Sequence, residues 1–272
     1  MREREGWREK DTNTTQQKQS IRESLKNIIK VLIPNFVLTI IQIIRGQKRA
    51  SRFKSQSART QEIFSEIYEK YLWGKSENPE HGYYSGAGSH DKNITTVYLD
   101  NVGVFLKSLP TKPNVVDLGC GDFSVGSQIR PYCNNYVACD IVPQLISRNK
   151  KKYVDFNVDF RVLNLITDQL PVGDIIFIRQ VLQHLSNEQI QKLIPKLHQN
   201  YSFLILTEHL PISKSFYPNI DMPTGPGIRI VYNSGVVLTA PPFNLKTLSE
   251  KIICEPVIAA SGVISTILYQ LK

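Results

Sequence analysis

The chain is 272 residues long and 41% hydrophobic, which is enough for one compact α/β domain with an appendage. Its net charge of +9 is concentrated at one end: residues 1–60 carry 14 Lys and Arg against 5 Asp and Glu, whereas residues 61–272 carry 19 of each. An enzyme that acts on nucleic acid needs positive charge on its folded domain, close to the phosphates. The charge distribution therefore argues against a DNA or RNA substrate.

The four cysteines, at positions 120, 133, 139 and 254, contain no CxxC pair and no His-rich spacing. Neither a zinc site nor a thioredoxin-like redox pair is supported by this pattern. We therefore predict reduced thiols, a cytoplasmic protein and no metal site.

Residues 1–20 are polar and of mixed charge, so we predict a disordered leader. Residues 21–60 predict a basic amphipathic helical segment, in which an apolar stretch at 31–44 is flanked by Lys and Arg. That stretch is interrupted by Pro34 and is shorter than the roughly 20 residues that span a bilayer. Residues 21–54 are open to two interpretations: peripheral contact with the inner face of a membrane, or packing against the domain or a second subunit.

From residue 61 to residue 272, the sequence predicts a domain in which helical patterns at 61–74 and 93–109 are followed by alternating strands and helices. The predicted strands cover residues 114–118, 136–140, 159–163, 174–178 and 202–206, and the helices between them cover 124–130, 143–152 and 187–199. Short apolar strands separated by helices predict a mostly parallel sheet with helices on both faces. In such sheets, ligands bind at the carboxyl ends of the strands.

The strongest local signal follows the first predicted strand, where residues 115–124 read Val-Val-Asp-Leu-Gly-Cys-Gly-Asp-Phe-Ser. The glycines make a tight turn that lets the backbone approach a ligand closely before the next helix begins. This turn resembles the first motif of the class I (Rossmann-like) methyltransferases, which binds the methionine end of S-adenosylmethionine. The resemblance implies a cofactor site that includes Asp117, Gly119, Cys120, Gly121 and Asp122.

The turn departs from the family pattern at its third glycine, where Phe123 stands. The rival interpretation is a nicotinamide-dependent oxidoreductase, which would need glycine-lined room for a diphosphate at this turn. The carboxylate of Asp122 would repel such an anion, whereas the ammonium and sulfonium groups of S-adenosylmethionine are compatible with it. The composition of the turn therefore favours methyl transfer.

The next two strand ends supply further cofactor candidates. Asp140 ends the second predicted strand 21 positions after Gly119, where its carboxylate can accept hydrogen bonds from a ribose diol. Ile141 would then lie against the adenine. After the third strand, the resemblance implies an acidic residue and a neighbour beside the adenine, and Asn164 and Leu165 hold these positions. An amide oxygen at residue 164 can still meet the adenine amine.

The loop after the fourth predicted strand contains Arg179, Gln180 and His184 and should face the transferred methyl group. We predict that Arg179 and Gln180 contact the cofactor. His184 is a candidate general base, because transfer to a hydroxyl requires removal of its proton. A buried packing role is the alternative for this histidine.

An insert at about residues 208–245 is too long for a simple connection, and we expect it to build the acceptor pocket. Its His209 and Asp221 are further candidate catalytic residues. The tail, at 251–260 and 263–271, predicts two strands that match the antiparallel final hairpin of the methyltransferase fold. The predicted fold is therefore Rossmann-like α/β: a seven-stranded, mostly parallel sheet with an antiparallel last strand, helices on both faces and an N-terminal helical extension.

A finer resemblance over residues 62–245 is to methyltransferases found beside glycan-assembly enzymes. The matching residues are Tyr68, 73–74, 85–89, the cofactor turn, 179–185, 219–221 and 242–243. This resemblance implies O-methylation of a saccharide or related small-molecule hydroxyl, with S-adenosylmethionine as the cofactor and a glycan or small molecule as the partner. The loop at 85–89 is either a cofactor-side lid or a plain linker. The alternative function is a non-catalytic scaffold at a membrane-associated glycan assembly.

Overall fold

The computed structural model describes residues 59–76, 82–213, 215–259 and 262–272. The predicted leader and nearly all of the predicted amphipathic segment lie outside the described residues. Within the described part of the chain, no helix is long and apolar enough to cross a bilayer.

Among the described residues, seven strands form one sheet. They are β1 (Val115–Leu118), β2 (Tyr136–Asp140), β3 (Asp159–Val162), β4 (Ile175–Arg179), β5 (Phe203–Pro211), β6 (Ser249–Ala259) and β7 (Gly262–Gln270). The order across the sheet is β3-β2-β1-β4-β5-β7-β6; β1 to β5 are parallel, and β7 is antiparallel to both of its neighbours. The predicted fold class of the domain is confirmed.

Helices connect and cover these strands. In chain order, the described α-helices are α1 (59–69), α2 (Ala87–His90), α3 (Lys92–Ser108), α4 (Gly126–Ile129), α5 (Pro143–Lys152) and α6 (Asn187–Asn200). Short 3-10 turns lie at Arg130–Tyr132, Val154–Phe156, Leu182–His184 and Arg229–Tyr232. A capping box begins α6, because Ser186 and Gln189 each accept a hydrogen bond from the backbone N–H of the other.

Both faces of the sheet are covered, which explains why its inner strands are mostly apolar up to their carboxyl ends. Val116 of β1 belongs to a buried cluster that includes Phe64 of α1 and Leu193 of α6. Its neighbour Val115 belongs to a second cluster that includes Val102 of α3. Successive side chains of β1 therefore enter opposite cores, as the pleat of a strand requires.

Several element boundaries differ from the sequence-based expectation, among them the end of α1 at residue 69 instead of 74. β5 continues to Pro211 instead of ending at residue 206, because β7 pairs with it along its full length. His209 therefore lies in a strand and not in the insert. α4 is a single turn followed by a 3-10 turn, since Pro131 has no N–H to donate to a continuing helix.

Candidate active site

A cavity of about 660 Å³ opens at the carboxyl ends of the parallel strands and has the size of a small-molecule site. All of the residues predicted to contact the cofactor line it. They are Asp117, Gly119, Cys120, Gly121, Asp122, Asp140, Ile141, Asn164, Leu165, Arg179 and Gln180. These residues meet because the ends of parallel strands lie at one edge of the sheet. Within the described residues, no group of three or more His, Cys, Asp or Glu side chains could hold a metal ion.

Gly119 and Gly121 are required both by backbone conformation and by space. Their φ angles are +78° and +55°, in the region that favours glycine. A Cβ atom at residue 119 would lie 2.4 Å from Cγ2 of Val181, and one at residue 121 would lie 2.5 Å from Oγ of Ser85. Any larger residue would therefore push the turn against the two loops that enclose it.

Phe123, at the position of the third glycine, keeps a glycine-like backbone with a φ of +62°. Its buried ring contacts Tyr136, Tyr153 and Phe160 edge-on, with centroid separations of 5.5, 5.1 and 4.9 Å. The left-handed conformation costs about 1–2 kcal/mol, and such aromatic pairs offset it at about 0.5–1.5 kcal/mol each. Phe123 therefore contributes its ring to the hydrophobic core without changing the backbone shape of the turn.

Asp140 ties the glycine turn to the end of β2. Its Oδ2 accepts a hydrogen bond from the backbone N–H of Gly121 at 3.1 Å, and its Oδ1 accepts one from the N–H of Val142 at 3.1 Å. Burial raises the pKa of Asp140 to about 6, against the lowering effect of these hydrogen bonds. Further donors from a ligand, such as two ribose hydroxyls, would stabilise the ionised form.

Asp117, at the start of the same turn, is a second buried carboxyl. Its Oδ2 accepts a hydrogen bond from the hydroxyl of Tyr136 at 3.0 Å. Burial raises the pKa of Asp117 to about 7, while the Tyr136 hydrogen bond and the charge of Arg179 act in the opposite direction. A positively charged ligand group beside this carboxyl would favour its ionised form.

Arg179, the last residue of β4, contacts the loop formed by residues 85–89. Nη1 donates to Oγ of Ser89 at 3.2 Å, and Nη2 donates to the carbonyl oxygen of Gly88. The guanidinium also lies 5.0 Å from the ring centroid of Tyr98. The buried Nε has no hydrogen-bond partner among the described residues. The Nε–H is therefore a donor available to an anionic ligand group.

All of residues 85–89 line the cavity, so the loop lies on the cofactor side and is not a distant linker. Oγ of Ser85 accepts a hydrogen bond from the N–H of Asp122 at 2.8 Å and lies 3.1 Å from the hydroxyl of Tyr68. A Cβ atom at residue 88 would lie 1.8 Å from Oε1 of Gln180. Small residues thus let this loop approach the ends of β1 and β4.

Asp122 places a negative charge within the glycine turn. Its Oδ2 lies 2.6 Å from Nε2 of His90, and its Oδ1 accepts a hydrogen bond from the N–H of Ser124 at 3.1 Å. Burial alone would raise the pKa of Asp122, but the hydrogen bond and charge of His90 outweigh it and lower the pKa to about 2. A diphosphate at this turn would therefore meet a fixed carboxylate.

Asn164 shapes the loop after β3 as well as lining the cavity. Its Oδ1 accepts a hydrogen bond from the N–H of Ile166 at 2.9 Å, and its own N–H donates to Oδ2 of Asp168 at 2.9 Å. Ile141 and Leu165 add apolar surface to the lining. The predicted contact of the Asn164 oxygen with an adenine amine stays a prediction.

His184 is a buried, neutral imidazole in the cavity wall. Its Nδ1 lies 3.1 Å from the carbonyl oxygen of Gly227, an arrangement in which Nδ1 donates and Nε2 carries the lone pair. Nε2 lies 3.3 Å from Nε2 of Gln183, and the ring of Trp73 is 4.8 Å from the imidazole. Burial lowers the pKa of His184 to about 4. The ring is therefore uncharged near neutral pH, with a lone pair on Nε2.

The other two candidate catalytic residues occupy different environments. His209 lines the cavity, and its Nε2 lies 2.8 Å from the carbonyl oxygen of Ala259. Asp221 is exposed, and its Oδ1 accepts hydrogen bonds from the N–H of Asn187 at 2.7 Å and of Met222 at 2.9 Å. The structure therefore brings His209 to the cavity and places Asp221 at the start of α6, where a carboxylate stabilises the helix. A direct catalytic role for Asp221 does not fit this position.

Arg229 supports the site from outside the cavity lining, and motif reasoning missed it. It is 1% exposed, although arginine is rarely fully buried. Its guanidinium donates to the carbonyl oxygens of Ile220 at 3.0 Å, Leu182 at 3.2 Å, Gln183 at 3.2 Å and Leu185 at 2.7 Å, and to Oδ1 of Asn187 at 3.0 Å. The insert is thereby tied to the segment that carries His184. The sequence signal is a lone arginine in the apolar run Ile-Arg-Ile-Val at 228–231.

Glu208, which sequence reasoning assigned only to the insert, supports the same segment from β5. Its Oε1 accepts a hydrogen bond from the N–H of Leu182 at 3.1 Å. Burial raises the pKa of Glu208 to about 8, while the charge of Arg229 acts in the opposite direction. The carboxyl is therefore largely protonated near neutral pH.

Residues 116–201 match a family model described as a methyltransferase domain. The chain carries a methyltransferase domain. The match begins in β1 and ends just after α6, so it contains the glycine turn, Asp140 and His184. The insert and the tail hairpin lie outside it. A search of curated proteins found no match.

Solved structures resemble this methyltransferase domain at low sequence identity. The magnesium protoporphyrin IX methyltransferase of Synechocystis, determined with S-adenosylmethionine, is 14% identical with a TM-score of 0.50, over 78% of this chain and 97% of that one. The N-methyltransferase NodS of Bradyrhizobium japonicum, determined with S-adenosylhomocysteine, is 13% identical with a TM-score of 0.49, over 66% and 88%. Human N-acetylserotonin methyltransferase is 14% identical with a TM-score of 0.49; the alignment covers 77% of this chain and 59% of the human one. The Synechocystis comparison shows that the chain shares this methyltransferase fold.

Proposed function

We propose that this chain, an S-adenosylmethionine-dependent methyltransferase, transfers the methyl group to a hydroxyl of a saccharide or a related small molecule. The observation that carries the proposal is the presence, in one cavity, of the glycine turn and the neutral imidazole of His184. The Synechocystis structure with bound S-adenosylmethionine supports the same cofactor here.

The side chains of the cavity fit the charges of S-adenosylmethionine. Asp117 would pair with the ammonium group, and the buried Nε of Arg179 would bind the carboxylate. Asp140 would accept hydrogen bonds from the ribose hydroxyls, and Ile141 and Leu165 would contact the adenine. The other residues assigned to this half of the site are Gly119, Cys120, Gly121, Asp122, Asn164 and Gln180.

The chain itself must remove a proton from the acceptor. When bound, the cofactor would supply an electrophilic methyl group to the acceptor oxygen, with the demethylated cofactor as the leaving group. We assign Nε2 of His184 to take the hydroxyl proton, with His209 as the second candidate. The hydrogen bond from Nδ1 to Gly227 fixes the tautomer that leaves the lone pair on Nε2. Arg229 and Glu208 act as positioning residues, because they bind the backbone around His184.

The acceptor class rests on the resemblance to methyltransferases of glycan assembly and on the charge balance of residues 61–272, which disfavours a polyanion. Gln183, His184 and His209 offer polar groups to an acceptor hydroxyl within the cavity. We also place the protein in the cytoplasm, with peripheral contact at the inner face of a membrane through residues 21–54. That placement is supported by the Lys and Arg residues that flank the apolar stretch.

Methyl transfer from labelled S-adenosylmethionine to a panel of glycosides tests the proposal with three proteins: wild type, His184→Gln and His198→Gln. His198 lies on α6 away from the cavity lining and is the matched control. We expect His184→Gln to lower kcat by about 100-fold or more, because a general base contributes about 10²- to 10⁴-fold. The affinity for S-adenosylhomocysteine should be unchanged.

Equal kcat values for wild type and His184→Gln would refute the assignment of the base. Binding of cofactor without transfer to any member of the panel would favour the scaffold function.

A further inference from the structure

The cavity has a second half, built from the insert and the tail hairpin, whose surface is apolar. Val231 of the insert and Ile258 of β6 both line the cavity, yet they are 75% and 74% exposed. Ile228, Ala259 and Ile264 line the same end. Two large aliphatic side chains therefore stand in solvent at the mouth of the site.

Charge is confined to the other end of this cavity. The lining side chains that carry charge are Asp91, Asp117, Asp122, Asp140 and Arg179, which come from the loops around the cofactor turn. Among the described residues, those that line the cavity from the insert and the tail hairpin are all uncharged. An acceptor that binds at the mouth therefore meets apolar surface and no ionic partner.

Two further apolar side chains close to this end in the chain are exposed. Tyr232 follows Val231 in the 3-10 turn and is 52% exposed. Ile212 directly follows β5, whose last residue pairs with the start of β7, and it is 60% exposed. Single exposed apolar residues need no explanation, but Val231 and Ile258 are exposed and also line a ligand cavity, which marks a binding surface. A free saccharide has no alkyl chain to cover these aliphatic side chains.

We propose, resting on the proposed function, that the methyl acceptor is an amphiphile whose hydroxyl-bearing head enters the cavity and whose alkyl chain lies across Val231 and Ile258. The head reaches the imidazole of His184, which lies deeper in the same cavity. The chain covers side chains that are otherwise exposed, and each buried methylene contributes about 0.8 kcal/mol. The alkyl chain of this acceptor matches the apolar, uncharged mouth of the cavity.

Binding of alkyl glucosides to the full chain, saturated with S-adenosylhomocysteine, tests this inference. The probes are methyl, butyl, hexyl and octyl β-glucoside, each below its micelle concentration, titrated in a calorimeter. Affinity should rise with chain length by up to about fourfold for each methylene that is buried. The same affinity for all four glucosides would overturn the proposal.

Two variants test whether the dependence of affinity on chain length arises at the mouth of the cavity. Val231→Ser and Ile258→Ser change exposed side chains at the mouth, and Val104→Ser, 67% exposed on α3 away from the cavity lining, is the control. Both mouth variants should weaken octyl glucoside binding several-fold and leave methyl glucoside binding unchanged, whereas Val104→Ser should behave as wild type. Unchanged chain-length dependence in both mouth variants would contradict the inference. Failure of the wild type to bind S-adenosylhomocysteine would instead contradict the proposed function.

Discussion

The two halves of the cavity are built in different ways. The cofactor half consists mainly of short turns directly after β1 to β4, which lie within the matched methyltransferase domain, together with the loop at residues 85–89. The acceptor half depends on the insert, where Arg229 binds backbone carbonyls 44 to 47 positions away in the sequence. Glycine turns with positive φ angles shape the first half, whereas the contacts of one buried arginine tie the second half to the segment that carries His184. The halves should therefore respond differently to mutation.

Replacing Arg229 by Met should cause the largest loss of stability. Its effect on function should be limited to the acceptor half of the cavity. The substitution leaves several buried carbonyl oxygens without donors, at about 1–3 kcal/mol each, so we expect a loss of about 3–5 kcal/mol in the free energy of unfolding. Urea unfolding measures the loss, and methyl transfer should fall with it. Affinity for S-adenosylhomocysteine under folding conditions should be retained.

Arg161→Met is the control for this experiment, because Arg161 is exposed on β3 and pairs with Asp159. It should change the free energy of unfolding by less than about 0.5 kcal/mol. An equal loss of cofactor affinity and methyl transfer in Arg229→Met would show that the two halves are not separable.

Replacing Gly121 by Ala should have a smaller effect on stability but should act on the cofactor half. The new Cβ atom would lie 2.5 Å from Oγ of Ser85, on a backbone with a φ of +55°. We expect a loss of about 1–2 kcal/mol in stability and about tenfold in affinity for S-adenosylhomocysteine. Thermal unfolding and calorimetric titration measure both quantities.

The matched control is Gly225→Ala, because a Cβ atom at residue 225 would meet no heavy atom within 4 Å. This variant should bind S-adenosylhomocysteine as the wild type does. Similar behaviour of the two alanine variants would contradict the steric account of the turn.

The smallest expected effect is a pH dependence of cofactor affinity, which arises from the buried carboxyls of the cofactor half. Burial raises the pKa of Asp140 to about 6, and ligand hydroxyls favour its ionised form, so bound cofactor should lower this pKa. Affinity should then decrease as the pH falls through about 6, and binding should release protons in that range. At about pH 5 only about a tenth of the free carboxyl is ionised, so the dissociation constant should be about tenfold larger than at about pH 7.5.

Titrations in buffers of different ionisation enthalpy measure the proton release. The raised pKa of Asp117 acts in the same direction if this carboxyl binds the ammonium group. Affinity that is independent of pH across this range would contradict the proposed ionic contacts of both carboxyls.

Much of the fold was predictable from the sequence because its determinants are local. Strands covered on both faces appear as continuous apolar runs, and β1 to β4 begin and end within about a residue of their predicted bounds. The end of β5 was predicted too early, because its last residues are held by β7, which lies some fifty positions later. The brevity of α4 follows from Pro131, a signal that was present in the sequence.

The residues of the candidate site also differ in how far the sequence predicts them. Gly119, Gly121 and Asp140 could be found from spacing, since the turn requires positive φ angles and the strand end fixes the carboxylate. Asp221 had the right chemistry for catalysis, but a long-range bond to the N–H of Asn187 determines its place. Arg229 carried no motif, and the carbonyls that it binds belong to other parts of the chain. Such pairings depend on the tertiary structure. The sequence shows only an arginine within an apolar run, which is unusual because arginine is rarely buried.

The most direct test of the account is calorimetric titration of S-adenosylhomocysteine into the full chain, with Asp140→Ala beside the wild type. We predict micromolar binding by the wild type and a loss of roughly 100-fold or more in the variant, because two charge-assisted hydrogen bonds at about 1.5–3 kcal/mol each are removed. Thermal unfolding of both proteins would verify that they are folded. Absence of binding by the folded wild type, or equal affinity in the two proteins, would contradict the assignment of the cofactor site.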